Sequence, residues 1–384
     1  MRIVDLFSGA GGLTFGFYYN LIDGNFIRNE DNKILFANEF DHQAAEAFRL
    51  NYPDINMIES DIKLLKEEDI RELIGNNEVD VVIGGPPCQS YSTIGKRVCD
   101  DKAKLYNEYY RILNIIRPRL FLFENVKGLL SMKDENHNSI IKDIKNKFEN
   151  ITEDFGYRIK YDVLDAVHYG IPQHRERVFI VGIRKDLNLE WFFPEGKSKE
   201  ISLKEAISDF PPIESGQELF EYGNYEPEND YQRLMRGDVQ ELTCHFVAEY
   251  GEKMKTVIKN VIPGEGRNYI NSLVDKGLLE EKYRLTSGYK NTYGRLYGDK
   301  PCTTITHNMS TPSGLRCIHY DQDRALSPRE GARIQSFPDW FRFCGNHVQI
   351  KTQIGNAVPP LLALELASQI LRTLEQGDIH EQHE

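Results

Sequence analysis

The chain has 384 residues, 40% hydrophobic and 11% aromatic, a composition that can bury a core and excludes a disordered polymer. Its net charge of −12 excludes a uniformly basic binder, and six cysteines without a CxxC pair exclude a disulfide scaffold and the usual zinc pattern, so no metal is expected. No apolar run approaches the roughly 18 residues of a membrane span. The first strand pattern starts at residue 2, so no signal peptide is expected either, and the reading is a cytosolic protein without a membrane partner.

In chain order, residues 2–7 read as a strand, 12–22 as a helix and 33–38 as a second strand. Asp41 is placed to cap a helix through Ala44, Ala45 and Phe48 that Pro53 stops. Residues 79–83 form an apolar strand that runs into a loop, GGPPCQSYS, at 84–92. A helix over 104–117 and strands at 120–123 and 178–183 follow. Near-continuous apolar strands separated by helices predict a parallel sheet covered on both faces. Beyond residue 184 the periodicity breaks down into Pro-, Gly- and Tyr-rich segments, which predicts a second, irregular domain. Helical patterns return at 327–335 and 360–374, the latter apolar enough to pack back on the first domain.

Charge is unevenly spread. Residues 190–230 hold eleven acids against three lysines, whereas 253–316 hold eleven Lys and Arg against five acids, a net of +6. Binding to nucleic acid needs only such a local basic surface.

The chemistry gathers at the carboxyl ends of the strands, where doubly wound sheets bind ligands. Asp5-Leu6-Phe7-Ser8-Gly9-Ala10-Gly11-Gly12 is a glycine-rich strand-to-helix turn, but Thr14 breaks the G-x-G-x-x-G dinucleotide pattern. Glu39, ending the second strand, is placed to accept ribose hydroxyls, and Asp61 to meet an adenine amino group. These features predict a nucleoside cofactor with no required pyrophosphate. Cys88 lies on a loop stiffened by Pro86 and Pro87, and Glu124 ends the neighbouring strand. A thiol nucleophile and a carboxyl that burial would keep protonated make a reaction site.

Seven motifs in order, DLFSGAGG (5–12), NEFD (38–41), PPCQSYS (86–92), ENV (124–126), QHRER (173–177), RALSPREGARIQSFPDW (324–340) and QIGNAVPP (353–360), make the chain closely resemble the DNA cytosine-5 methyltransferases of prokaryotic restriction-modification systems. The resemblance implies a Rossmann-like α/β domain with a mixed, mostly parallel sheet and a smaller, irregular target-recognition domain. Its expected boundaries are 1–184, with 346–384 packing back, and 185–345. It also implies S-adenosyl-L-methionine held by Phe7, Gly9, Gly11, Glu39, Phe40, Asp61, Ile62 and Pro87, with Asn356, Ala357 and Val358 closing the pocket, and S-adenosyl-L-homocysteine as product. Cys88 would be the nucleophile and Glu124 the partner of the cytosine edge. Arg177 would meet the cytosine carbonyl, with Arg175 and Gln173 supporting the site. Thr304, Ile305 and Arg295 would grip duplex DNA. The implied protein is a cytoplasmic, nucleoid-associated monomer, with a restriction endonuclease expected as a genetic rather than a physical companion. Two alternatives are a tRNA cytosine-5 methyltransferase, whose usual Cys-Phe-Thr signature is missing here, and a catalytically silent DNA-binding repressor, against which the intact Cys88, Glu124 and Arg177 argue.

Overall fold

A computed structural model describes residues 1–87, 105–134, 136–289 and 292–381, with side chains through 376. It divides into two compact units, one of Met1–Asp165, Glu176–Gly196 and Leu362–Glu384, the other of Ala166–Arg175 and Lys197–Leu361. The boundaries therefore differ from expectation in three places. Residues 166–175 leave the first unit, residues 185–196 join it, and residues 346–361 stay with the second.

The first unit runs β1 (Arg2–Leu6), α1 (Gly12–Tyr18), β2 (Tyr19–Ile22), β3 (Asn25–Arg28), β4 (Lys33–Glu39), α2 (His42–Asn51), β5 (Met57–Glu59), α3 (Glu67–Ile74), β6 (Val81–Gly84), α4 (Tyr106–Ile116), β7 (Leu120–Val126), α5 (Ile140–Glu149), β8 (Tyr157–Asp165) and β9 (Glu176–Arg184). Its seven-stranded sheet has the order β5-β4-β1-β6-β7-β9-β8. All neighbours are parallel except that β9 runs antiparallel to both β7 and β8, so the sheet is mixed and mostly parallel as predicted. Val4, Leu6, Phe36, Val82, Phe121 and Phe123 pack one face against Tyr109, Ile112, Ile144 and Phe148 of α4 and α5. Asp41 caps α2 as the sequence indicates, accepting from the Ala44 amide at 2.9 Å.

The helix expected over 12–22 ends at Tyr18, and the chain turns back in a β2–β3 hairpin. Asp23 and Gly24 both take positive φ, 50° and 75°, the geometry of a two-residue hairpin turn for which Asp-Gly is a favoured pair.

The second unit contains α6 (Leu203–Ile207), β10 (Glu218–Glu221), α7 (Asp230–Arg236), β11 (Glu241–Phe246), α8 (Glu252–Asn260), α9 (Arg267–Asp275), β12 (Gly294–Arg295), β13 (Arg316–Ile318), α10 (Pro328–Ile334) and α11 (His347–Asn356). It holds more helix than its irregular sequence predicts. The RALSPREGARIQSFPDW stretch organises it through buried ion pairs. Arg324 grips Glu330 with two bonds of 2.7 and 2.6 Å, while Arg333 pairs with both Asp209 and Asp339. Buried charges of this kind need their partners, because losing one strands the other without solvent.

The last helix, α12 (Pro360–Glu381), joins the first unit from Leu362 onward. It crosses α1 at Gly16, where a Cβ would lie 2.1 Å from the Ala363 carbonyl carbon. By length and composition the stretch His347–Gln376 does meet the criterion for a membrane span, contrary to the expectation that no segment would. In the fold it is broken between α11 and α12, and 56% of its apolar window is buried inside the protein.

Candidate functional site

The carboxyl ends of β1, β4 and β5 build a rim of backbone and acid. Phe7 and Gly9 take φ of 58° and 56°, a conformation costly for a phenylalanine and natural for glycine. Among the described residues no atom lies within 4 Å of where a Cβ on Gly9 would be, so its backbone is open on that side. Gly11 is the opposite case. Its missing side chain makes room for the Tyr52 ring, which a Cβ would meet at 2.2 Å, and the Tyr52 hydroxyl donates to the Gly11 carbonyl at 2.6 Å.

Glu39 accepts from the Gly9 amide at 2.8 Å and from those of Phe40 and Asp41 at 2.8 and 2.7 Å. Burial nonetheless pushes its proton affinity above the ordinary carboxylate value, the three amides opposing it. Phe40 beside it is 73% exposed, an apolar ring presented to solvent. Half-buried Asp61 caps the next short turn through the Lys63 amide at 3.0 Å, and Ile62 is buried behind it. Open backbone, a positioned acid and a free aromatic face suit a nucleoside sulfonium such as S-adenosyl-L-methionine.

A residue that sequence reasoning passed over lies beneath this rim. Asp5 is fully buried and accepts from the Thr14 hydroxyl, and its other oxygen has no hydrogen bond among the described residues. Burial, reinforced by the nearby Glu39 charge and opposed by Thr14, pushes its carboxyl up to about 7. The folded pKa exceeds the unfolded one, so the folded state holds the proton more tightly. The contribution of Asp5 to stability is then greatest below about pH 4 and is lost as pH rises towards 7, by at most about 4 kcal/mol. Asp5→Asn should raise the urea midpoint about four times as much at pH 8 as at pH 4.5. An equal shift at both pH values would refute the assignment.

Cys88 lies outside the described residues. The approach to it is defined. Pro86 is buried and Pro87 exposed, and Asn125 donates to the Pro86 carbonyl at 3.0 Å. Glu124, 12% exposed at its side chain, pairs with Arg177 at 3.2 Å. The pairing follows from register, since Val126 on β7 lies opposite Arg177 on β9 and Glu124 two residues away. A Cβ on Gly85 would come within 2.8 Å of the Glu124 Oε2 atom, so the glycine leaves the carboxylate its place.

Arg175 and Gln173 belong to the second unit, both buried. Arg175 donates to the carbonyls of Ile305, Gly355 and Ala357 at 2.8–2.9 Å. Gln173 donates to Gln335 at 2.6 Å and accepts from the Ile305 amide at 3.0 Å. Together they tie the 304–306 segment and the turn at Asn356, Ala357 and Val358 into one body. Thr304 donates to the His174 carbonyl at 2.7 Å, and the Ile305 side chain is buried. Arg295, expected to hold DNA, must be withdrawn from that role. It is 5% exposed and donates to the carbonyls of Val261, Ile258, His319 and Gln322 and to Asp323, which leaves no face for a phosphate. Among the described residues His42, Glu46 and Glu59 bring ligand-type atoms within 4.8 Å of one another, but Arg49 already pairs with both carboxylates.

A family model for C-5 cytosine-specific DNA methylases matches residues 1–372. The chain is 34% identical to the type II methyltransferase M.DdeI of Desulfomicrobium norvegicum, over 96% of this chain and 88% of that one. It is 33% identical to M1.HphI of Haemophilus parahaemolyticus, over 97% and 87%. Among solved structures, a candidate DNA modification methyltransferase from an E. coli prophage superposes with a TM-score of 0.75 at 24% identity, covering 98% of this chain and 99% of that one. DNMT2 of Spodoptera frugiperda superposes at 0.60 with 17% identity, covering 96% and 99%. At those identities the superpositions speak to fold.

Proposed function

Because the chain belongs to the C-5 cytosine-specific DNA methylases and so is a DNA cytosine-5 methyltransferase using S-adenosyl-L-methionine, we propose that it methylates one short duplex site through a covalent bond between Cys88 and the target base. The observation that carries this reading is the Glu124–Arg177 pair beside the loop that leads to Cys88.

Carbon 5 of cytosine is a poor nucleophile, so the ring must first be made electron-rich. The Cys88 thiolate adds to C6, forming an S–C6 bond and pushing electron density towards N3 and C5. Glu124 hydrogen-bonds N3 as charge develops there, and Arg177 stabilises charge at O2. The bound cofactor supplies an electrophilic methyl group. Loss of the C5 proton to a base and cleavage of the S–C6 bond then restore the aromatic ring and return the thiolate. Cysteine suits both halves, being a good nucleophile and a fair leaving group. Around the cofactor Glu39 would accept the ribose hydroxyls, Phe40 would cover a ring face and Asp61 the adenine amino group.

None of these atoms is reachable in a stacked duplex, so the base must rotate out at a cost of roughly a few kcal/mol. In the reading offered here the first unit carries the chemistry and the second recognises the target. Exposed Lys253, Lys259, Lys276 and Lys300 of the second unit are candidates for phosphate contact, in place of Arg295. In this reading the protein works as a monomer on cytoplasmic DNA, with a restriction endonuclease linked to it genetically.

Bisulfite sequencing of plasmid from cells expressing the protein should show conversion-resistant cytosines confined to one short motif. Exchange of residues 253–316 for those of a relative should change that motif. Methyl transfer to tRNA with none to duplex DNA, or an unchanged motif in an active chimera, would count against the respective part of the proposal.

A further inference from the structure

We infer that Asn125 is a positioning residue for the nucleophile, an assignment that rests on the covalent reading above. Asn125 is 6% exposed, and its side-chain amide makes two bonds. The Nδ2 group donates to the Pro86 carbonyl at 3.0 Å, and Oδ1 accepts from the Val126 amide at 2.9 Å. The second bond locks the orientation of the amide, so the first has one direction in which to point.

Covalent geometry shows what that direction fixes. Holding the Pro86 carbonyl orients the whole planar peptide group joining Pro86 to Pro87. The Pro87 ring then fixes its own φ. A single soft torsion, ψ of Pro87, is left between the anchored plane and the next peptide, which ends at the Cα of Cys88. The two prolines alone would make the loop stiff without saying where it points. Asn125 supplies the reference.

That reference is the strand end that also carries Glu124. Side chains of consecutive strand residues leave from opposite faces, and the two residues meet adjacent points of the same loop. Glu124 packs where Gly85 has no side chain, and Asn125 holds Pro86. The loop is thus registered to the end of β7 on both faces. In this assignment one strand would set the spacing between nucleophile and carboxyl partner, which matters because a misplacement of about 1 Å can cost about 100-fold in rate.

The test is the rate at which the protein forms an adduct with duplex DNA carrying 5-fluorocytosine at the methylated position, with S-adenosyl-L-methionine present. The dissociation constant for the cofactor, measured in parallel, reports an intact fold. Asn125→Ala should slow adduct formation about 30- to 100-fold and change cofactor affinity less than about threefold. Asn125→Asp adds a signature that a general loss of packing would not produce. Ionised, its carboxylate cannot donate to Pro86. Protonated, its O–H can, and burial favours that form. Relative to wild type at each pH, its rate should therefore recover about tenfold between pH 8 and pH 6. Adduct formation by Asn125→Ala at the wild-type rate, equal loss of cofactor binding, or a flat pH ratio for Asn125→Asp would overturn the assignment. Absence of any adduct with the wild-type protein would overturn the covalent reading itself, and the assignment with it.

Discussion

Duplex DNA with 5-fluorocytosine at the target position, incubated with the protein and S-adenosyl-L-methionine, is expected to yield a complex that survives denaturant, with the DNA attached to Cys88. The proposed cycle ends with loss of the C5 proton, and fluorine does not leave as a cation, so the cycle stops after methyl transfer with the S–C6 bond intact. Cys88→Ser should give less than about 1% of the adduct, because a serine hydroxyl is almost fully protonated at neutral pH and a far weaker nucleophile. Peptide mapping decides the matter. Attachment to Cys99 or to any other residue would refute the mechanism, whatever the yield.

The second large effect is expected at Glu124. Replacing it by glutamine preserves shape but removes the group that stabilises N3 as the thiolate adds. Loss of one preorganised transition-state contact costs about 10²- to 10³-fold in turnover. DNA affinity should change far less, because the contact strengthens only as charge develops. The Arg177 partner complicates the free protein, since Glu124→Gln leaves that guanidinium without its opposite charge at 3.2 Å. Steady-state kinetics beside a filter-binding isotherm separates the two effects. Parallel losses in kcat and in DNA affinity would assign Glu124 a structural role.

The parts of this molecule that were readable from the sequence share one physical property: their signal is local. β1, β4, β6 and β7 are apolar runs, α2 has an Asp cap, and α10 is preceded by Ser327 in a capping box with Glu330. The parts that escaped are decided by partners far along the chain. β8 lies at the edge of the sheet with most of its residues exposed or half-buried, so it carries no apolar run to betray it. The hairpin after α1 is an exception, because its Asp23-Gly24 signal is local but sits inside an apparent helical period. Arg295 reads from sequence like any arginine of a basic segment. Its five contacts include four backbone carbonyls, which have no residue signature at all. The same holds for Arg175 and for Asn125, whose anchor is the carbonyl of a proline 39 residues earlier. Motifs located the rim of the candidate site. Only the fold separated residues facing that rim from residues that hold it in place.

The C-terminal helix has a consequence for how the protein is made. All strands of the first unit have been synthesised by Arg184, yet the helix that seals α1 begins to join it at Leu362. Leu362, Ala363, Leu366, Ala367, Ile370 and Leu374 supply its buried face. On the ribosome the notch at Gly16 must therefore wait, open and apolar, while the entire second unit is translated. A contact between opposite ends of the chain carries a large closure entropy and forms late. Chains that stop short of the final helix leave that surface uncovered, a ready target for chaperones and proteases. The order of synthesis thus acts as a check on completeness.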